Sequence, residues 1–136
     1  MANTTFSGPV RSENGFESIT KNGTTGAITT NATYNGTITG GVQALSGAGA
    51  ADLTNLVTEL TTAAGAAAVT LANGTTAGQI KIITMVVDGG GTATVTPATF
   101  ANGTNIAFAD VNDTVMLAWA NTIGWVIVSN SGAVVS

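Results

Sequence analysis

The sequence predicts an all-β protein, a small antiparallel sandwich or barrel of the jelly-roll type with an extended N-terminal arm. One observation is a run of short segments rich in apolar and β-branched residues, at 66–72, 79–87, 92–97, 105–109, 114–120 and 125–129. Another is the turn residues between them, since Asn-Gly and Gly-Gly-Gly supply the positive φ angles that tight hairpins require. Several short strands joined by such links are typical of antiparallel sandwiches and barrels.

Residues 1–41 are predicted to form the arm. They are rich in Thr, Asn, Gly and Ser, and Asn-Gly-Thr turns at 22–24 and 35–37 divide them into short extended pieces. Such a segment buries too little apolar area to offset its ordering entropy, so it is either disordered or lies along a partner. In the second case the isolated aromatic residues Phe6, Phe16 and Tyr34 would dock into neighbouring pockets.

Residues 42–51, centred on Ser-Gly-Ala-Gly-Ala, are predicted to be a small-residue linker that precedes a β domain at 52–136. At the start of that domain, residues 52–62 fit two patterns. Leu53, Leu56, Val57 and Leu60 have helical spacing, but 56–62 also alternates as a strand does. The Thr content and the strands that follow favour a strand.

Three of the strands are apolar on both faces. In 79–87, for example, Ile80, Ile82 and Val86 share one face, and Ile83, Met85 and Val87 share the other with Lys81. A strand that is apolar on both faces is covered on both, and in so short a chain we expect a neighbouring subunit to provide the second cover. The residues predicted to lie at this oligomer interface are Ile83, Met85, Val87, Met116, Trp119 and Trp125.

Charged residues are scarce, which restricts the classes of partner. They make up 7% of the 136 residues, against about a quarter in an ordinary domain, so copies repel each other little and an oligomer is expected. Arg11, Lys21 and Lys81 are too few to neutralise several phosphates, which argues against nucleic acid. The net charge of −4 and the lack of a basic amphipathic segment argue against a membrane surface. The opening residues do not resemble a secretory signal, so we expect cytosolic synthesis.

The chain has no His and no Cys, so the usual general base, thiol nucleophile and thiolate or imidazole metal ligands are missing. Carboxylates remain, and a paired-carboxylate hydrolase would draw on Asp52, Glu59, Asp88, Asp110 and Asp113. Asp88, Asp110 and Asp113 adjoin turns, where Asp commonly bonds its own backbone. Residues 110–114 lack the loop of an EF-hand, so a turn is favoured over a Ca²⁺ site. We predict no enzyme, no cofactor and no metal.

Residues 69–81 resemble the VTL-x-x-GT-x-x-GQ-x-K segment of small β-structured virion proteins of tailed bacteriophages, marine phages especially. The likeness continues at 88–91, 95–97, 113–119 and 124–127, and residues 6–16 are similar to the opening of marine-phage structural proteins. The resemblance implies a capsid decoration (cement) protein, a homotrimer bound to the major capsid protein on the virion surface after synthesis in the host cytoplasm. The capsid-binding arm would include Phe6, Pro9, Arg11 and Phe16.

Two functions of other classes are left as alternatives. One is a phage fibre or receptor-binding module that recognises host glycans, with Trp119 and Trp125 stacking on sugar rings. The other is a hydrolase of capsule polysaccharide that uses Asp110 or Asp113.

Overall fold

The computed structural model describes residues 19–30 and 39–136 and divides the chain into two units, Met1–Ile38 and Thr39–Ser136. In the first unit, the described residues form an antiparallel pair, β1 (Ile19–Lys21) and β2 (Ile28–Thr30). The turn predicted at 22–24 is confirmed there, because Asn22 Oδ1 accepts hydrogen bonds from two main-chain N–H groups that follow it. The proposed capsid-binding residues lie outside the described residues; they are Phe6, Pro9, Arg11 and Phe16.

The second unit is a sandwich of two five-stranded sheets, and no helix occurs among the described residues. Sheet I has the strand order β11-β10-β7-β5-β3 and sheet II the order β12-β9-β8-β6-β4. The strands are β3 (Val42–Ser46), β4 (Gly49–Ala51), β5 (Val57–Thr61), β6 (Ala67–Leu71), β7 (Ile80–Val87), β8 (Ala93–Pro97), β9 (Ile106–Phe108), β10 (Thr114–Ala120), β11 (Gly124–Ser131) and β12 (Val134–Val135).

The all-β sandwich prediction is confirmed, and the sheets are not closed into a barrel. The prediction of antiparallel pairing is wrong for the first six strands of this unit. From β3 to β8 the chain alternates between the sheets, and each strand lies parallel to the strand two places earlier. The Asn73-Gly74 and Gly89–Gly91 links therefore carry the chain from one sheet to the other instead of closing hairpins. Antiparallel pairing begins only with β9 and β10.

The prediction of a linker at 42–51 is also wrong, because these residues form β3 and β4. The unit begins at Thr39. β3 pairs with β5 and β4 with β6, so the main-chain hydrogen bonds of these neighbours order a segment of small side chains. The strand interpretation of 52–62 is confirmed by β5. The residues before it form a turn in which Asp52 Oδ1 accepts bonds from the N–H groups of Thr54 and Asn55.

The core lies between the two sheets. Alternate residues of β5 to β10 are buried in it, which is the period-two pattern of a strand that lines a sandwich core. The fully buried side chains of largest volume are Trp125, Lys81, Phe108, Leu60, Leu71, Ile83, Met85, Ile106, Leu117, Val69, Val95 and Val115.

Candidate functional site: the outer faces of the sandwich

The inward residues of β7 determine which face of sheet I remains open. Lys81, Ile83 and Met85 are buried, so Ile80 and Ile82 point away from the core. β10 follows the same rule, with its odd-numbered residues buried and its even-numbered residues partly exposed. Strands β6, β8 and β9 of the same chain cover this inward face, while the outward side chains of β7 stay partly exposed.

The interface prediction is therefore wrong for four of its six residues. Ile83, Met85, Trp119 and Trp125 are buried within a single chain, where they cannot contact a second subunit. The physical reason is that alternation defines two faces of a strand without indicating which face the rest of the chain will cover. The other two residues, Val87 and Met116, are accessible at the surface of sheet I.

The outer face of sheet I carries two adjoining rows of aliphatic side chains. Strand register places Val42, Val57, Ile82 and Met116 side by side across four strands. The next row crosses the β7, β10 and β11 strands. We call these two rows the aliphatic face; its members are Val42, Val57, Ile80, Ile82, Met116, Ala118 and Val126.

The borders of the aliphatic face differ in their exposure and polarity. Val42, on the edge strand β3, is 54% exposed, and Val128, at the bulge in the opposite edge strand β11, is 58% exposed. On the other side lies a polar row that contains Glu59, Thr84 and Thr114 in neighbouring strands. The hydroxyl oxygens of Thr84 and Thr114 are 2.7 Å apart and share a hydrogen bond. The face is thus an aliphatic area with a polar margin.

The outer face of sheet II has a different chemistry. The outward side chains of its inner strands β6 and β8 are small or carry hydroxyl groups, at Ala68, Thr70, Thr94 and Thr96, while Val134 of the edge strand β12 is an exposed aliphatic residue. Thr96 Oγ1 donates a hydrogen bond of 2.7 Å to Asn105 Oδ1. We call this the hydroxyl face. The two outer faces of one sandwich thus differ in polarity.

A buried lysine lies inside the sandwich near the start of β7. Lys81 is 1% exposed, and its Nζ donates a 2.8 Å hydrogen bond to the carbonyl oxygen of Asn55. The nearest carboxylate oxygen, Oδ1 of Asp52, is 3.9 Å away. Burial lowers the pKa of Lys81, and the charge of Asp52 partly opposes this shift. Hydrogen bonds from Asn55 lower the pKa of the Asp52 carboxyl.

The side chain of Gln43 extends this polar cluster. Its Oε1 accepts bonds from the N–H of Asp52 at 2.9 Å and from Thr58 Oγ1 at 2.8 Å, while its Nε2 donates to the carbonyl of Ala50. The side-chain amide of Gln43 thus bonds both to another side chain and to the main chain. This arrangement holds the link between β4 and β5 against the sheets, and it presents no free nucleophile.

Of the remaining candidate carboxylates, Glu59 lies in strand β5, whereas Asp88, Asp110 and Asp113 adjoin turns, as the sequence indicated. Asp88 Oδ1 accepts a 2.7 Å bond from the N–H of Gly90. Asp113 is buried, and its Oδ2 accepts bonds from the N–H groups of Ala109 and Asp110. In residues 19–30 and 39–136 there is no group of three or more acidic side chains that could hold a metal ion. No helix in those ranges is long and apolar enough to cross a membrane.

The two tryptophans that the glycan-binding alternative would use are core residues. Their rings meet edge to face, with centroids 5.4 Å apart and planes at 65°. Trp125 Nε1 donates to the carbonyl of Ala72, and Trp119 Nε1 donates to Asn121 Oδ1, both at 2.9 Å. Since both rings are buried, neither face is open for a sugar ring to stack on.

No protein-family model matches the chain, and no curated protein matches its sequence. Of the seven members of the aliphatic face, only Met116 was predicted from the sequence as an interface residue. The signal for the others was present, because Ile80 and Ile82 recur at the strand period in an otherwise two-sided strand.

Proposed function

We propose that this chain is a non-enzymatic structural protein of a phage virion, a decoration protein that binds the outer surface of the capsid as a homotrimer and stabilises it. The main support is the aliphatic face, a partly exposed apolar surface on a nearly uncharged sandwich. Large apolar patches of this kind mark surfaces that pack against other proteins. The resemblance of 69–81 and the segments after it to small phage virion proteins indicates the class of assembly.

The chemistry of the remaining residues agrees with a structural role. Asp88 and Asp113 are occupied with the turns that contain them, and the amine of Lys81 is bonded to main chain inside the sandwich. A trimer on a capsid would gain from multivalency, because three modest contacts made together produce a far lower dissociation rate than one. The proposed contacts with the major capsid protein are Phe6, Pro9, Arg11 and Phe16.

Capsids of a phage that encodes this chain, prepared without it, provide the test. The purified full chain and a variant that lacks residues 1–16 are mixed with these capsids, and occupancy is measured by co-sedimentation and electron microscopy. We expect the full chain to saturate a regular set of surface sites and the truncated variant to bind more weakly. The double variant Phe6→Ala, Phe16→Ala tests the aromatic contacts without shortening the chain.

Absence of binding by the full chain at micromolar concentration would refute the capsid role. Equal occupancy by the full chain and the truncated variant would keep the role and refute the assignment of the contact to residues 1–16.

A further inference from the structure

We infer that the aliphatic face is the surface through which copies of this chain contact one another. The inference deepens the proposed function, because it names the surface through which the oligomer forms. It rests on the proposed function only for the expectation that the chain is an oligomer. It also replaces the interface first predicted from the sequence, since Ile83, Met85, Trp119 and Trp125 are enclosed in the core.

The distribution of polarity on sheet I matches the anatomy of a protein interface, which has an apolar centre and a polar margin. Val57 and Ile82 are neighbours near the middle of the sheet, and the row of Glu59, Thr84 and Thr114 lies beside them. Glu59 is the one ionisable side chain on the outward positions of β5, β7 and β10. The margin can therefore stay hydrated while the aliphatic rows are covered.

The size of the sheet agrees with one complete interface. Five strands at about 4.8 Å spacing give a width of about 24 Å, and seven residues at about 3.3 Å give a length of about 23 Å. The flat area is then about 550 Å², and side chains raise the accessible area above this value. A stable interface covers about 800 Å² on each partner. Contact with another copy would therefore use most of the outer side of sheet I, that is, the aliphatic face together with its polar margin and the sheet edges at Val42 and Val128.

Charge favours a second copy over a partner of another kind. A surface that selects an oppositely charged protein presents several like charges, and the aliphatic face presents none beyond the adjoining Glu59. Aliphatic faces on neighbouring copies can approach with little repulsion. In a homotrimer the three faces would meet around the threefold axis, so that each face contacts both neighbouring copies.

The test compares the same substitution on the two outer faces. Ile82 lies on β7, the central strand of sheet I, and Thr94 lies on β8, the central strand of sheet II. We expect the full wild-type chain and Thr94→Glu to be oligomers by native mass spectrometry and light scattering at low micromolar concentration. Ile82→Glu should be monomeric, or its dissociation constant should rise at least about tenfold. A monomeric wild-type chain, or an Ile82→Glu variant that associates as the wild type does, would refute the inference.

Single cysteines provide a second measurement that does not require disruption of the interface. The chain has no Cys, so Val57→Cys on the aliphatic face and Thr70→Cys on the hydroxyl face each carry one reactive thiol. A short bis-maleimide should cross-link Val57→Cys into covalent dimers far more than Thr70→Cys. Equal cross-linking of the two variants, or preferential cross-linking of Thr70→Cys, would refute the assignment. Unchanged tryptophan fluorescence and circular dichroism establish that each variant is folded.

These measurements separate the interface from the capsid role, because they contain no capsid. A chain that associates through the aliphatic face but does not bind capsids would refute the proposed function and support the interface. A chain that decorates capsids as independent monomers would refute the interface and leave the capsid role standing.

Discussion

The buried amine of Lys81 allows a quantitative test of how the sandwich is held together. Lys81→Ala removes three methylene groups of the stem and the hydrogen bond to the carbonyl of Asn55. Lys81→Met removes the same hydrogen bond and charge but keeps a side chain of similar length and volume. The pair of variants separates packing of the stem from the polar contact.

The expected magnitudes follow from burial. Three buried methylene groups contribute about 2 kcal/mol to the free energy of unfolding. The unsatisfied carbonyl of Asn55 costs about 1–3 kcal/mol, partly offset because neither variant has to bury a charged ammonium group. Asp52 keeps contact with water, since its side chain is 32% exposed, so loss of its partner adds little. Lys81→Ala should therefore be at most about 3–5 kcal/mol less stable than the wild type, and about 2 kcal/mol less stable than Lys81→Met.

The pH dependence of stability provides an independent check on the same group. Burial holds the pKa of Lys81 below its ordinary value of 10.5, so between the lowered pKa and 10.5 the unfolded chain binds more protons than the folded chain. The free energy of unfolding of the wild type, relative to Lys81→Met, should therefore rise with pH through that window. Asp52 affects stability at acidic pH. Because its pKa in the folded chain lies below the ordinary value of 3.8, its stabilising contribution is present above pH 3.8 and is lost as the pH falls through the lowered pKa.

Chemical denaturation followed by fluorescence measures these values. Both tryptophans of the chain, Trp119 and Trp125, lie in the sandwich core and report its unfolding. Equal destabilisation by Lys81→Ala and Lys81→Met would refute the role of stem packing. A difference between the wild type and Lys81→Met that does not vary between neutral and alkaline pH would refute the buried, titrating amine.

Two further predictions concern turns and links of the sandwich. Gly91→Ala should lower the free energy of unfolding by about 1–3 kcal/mol, because a Cβ there would overlap the main-chain oxygens of Ala63 and Gly65. The control Gly65→Ala, where a Cβ meets open space, should change it by less than about 0.5 kcal/mol, and denaturant midpoints that reverse this order would contradict the packing. Asp113→Ala should cost about 1–3 kcal/mol, because it removes a buried carboxylate that accepts two main-chain N–H bonds. The exposed neighbour variant Asp110→Ala should cost little, and thermal unfolding midpoints that fail to separate the two would count against the turn.

Much of the strand content could be predicted from the sequence because alternation is a local signal. Segments predicted at 66–72, 79–87 and 114–120 correspond to β6, β7 and β10. The signal failed for β3 and β4, whose residues are mostly small. Those strands are ordered by main-chain pairing with β5 and β6, which composition does not reveal.

The predicted oligomer interface shows the same limit, because a local pattern of residues does not reveal tertiary contacts. The sequence placed Ile80 and Ile82 on one face of β7 and Ile83 and Met85 on the other, and this division is confirmed. It predicted the enclosed face as the subunit contact, because alternation does not show that the second sheet covers Ile83. Lys81 lies on the enclosed face, where Asn55, 26 residues earlier, supplies its hydrogen-bond acceptor.

The amino-acid sequence by itself determined most of the strands from β5 onwards, several of the turns and how little charge the surface carries. It also determined that the usual His and Cys chemistry is missing, since each of these properties depends on residue identity or on neighbours within a few positions. The tertiary structure decided the parallel pairing of β3 with β5 and of β5 with β7, and which face of sheet I the second sheet covers. These outcomes depend on contacts between residues that are distant in the chain, and a pattern of period two is equally compatible with either face.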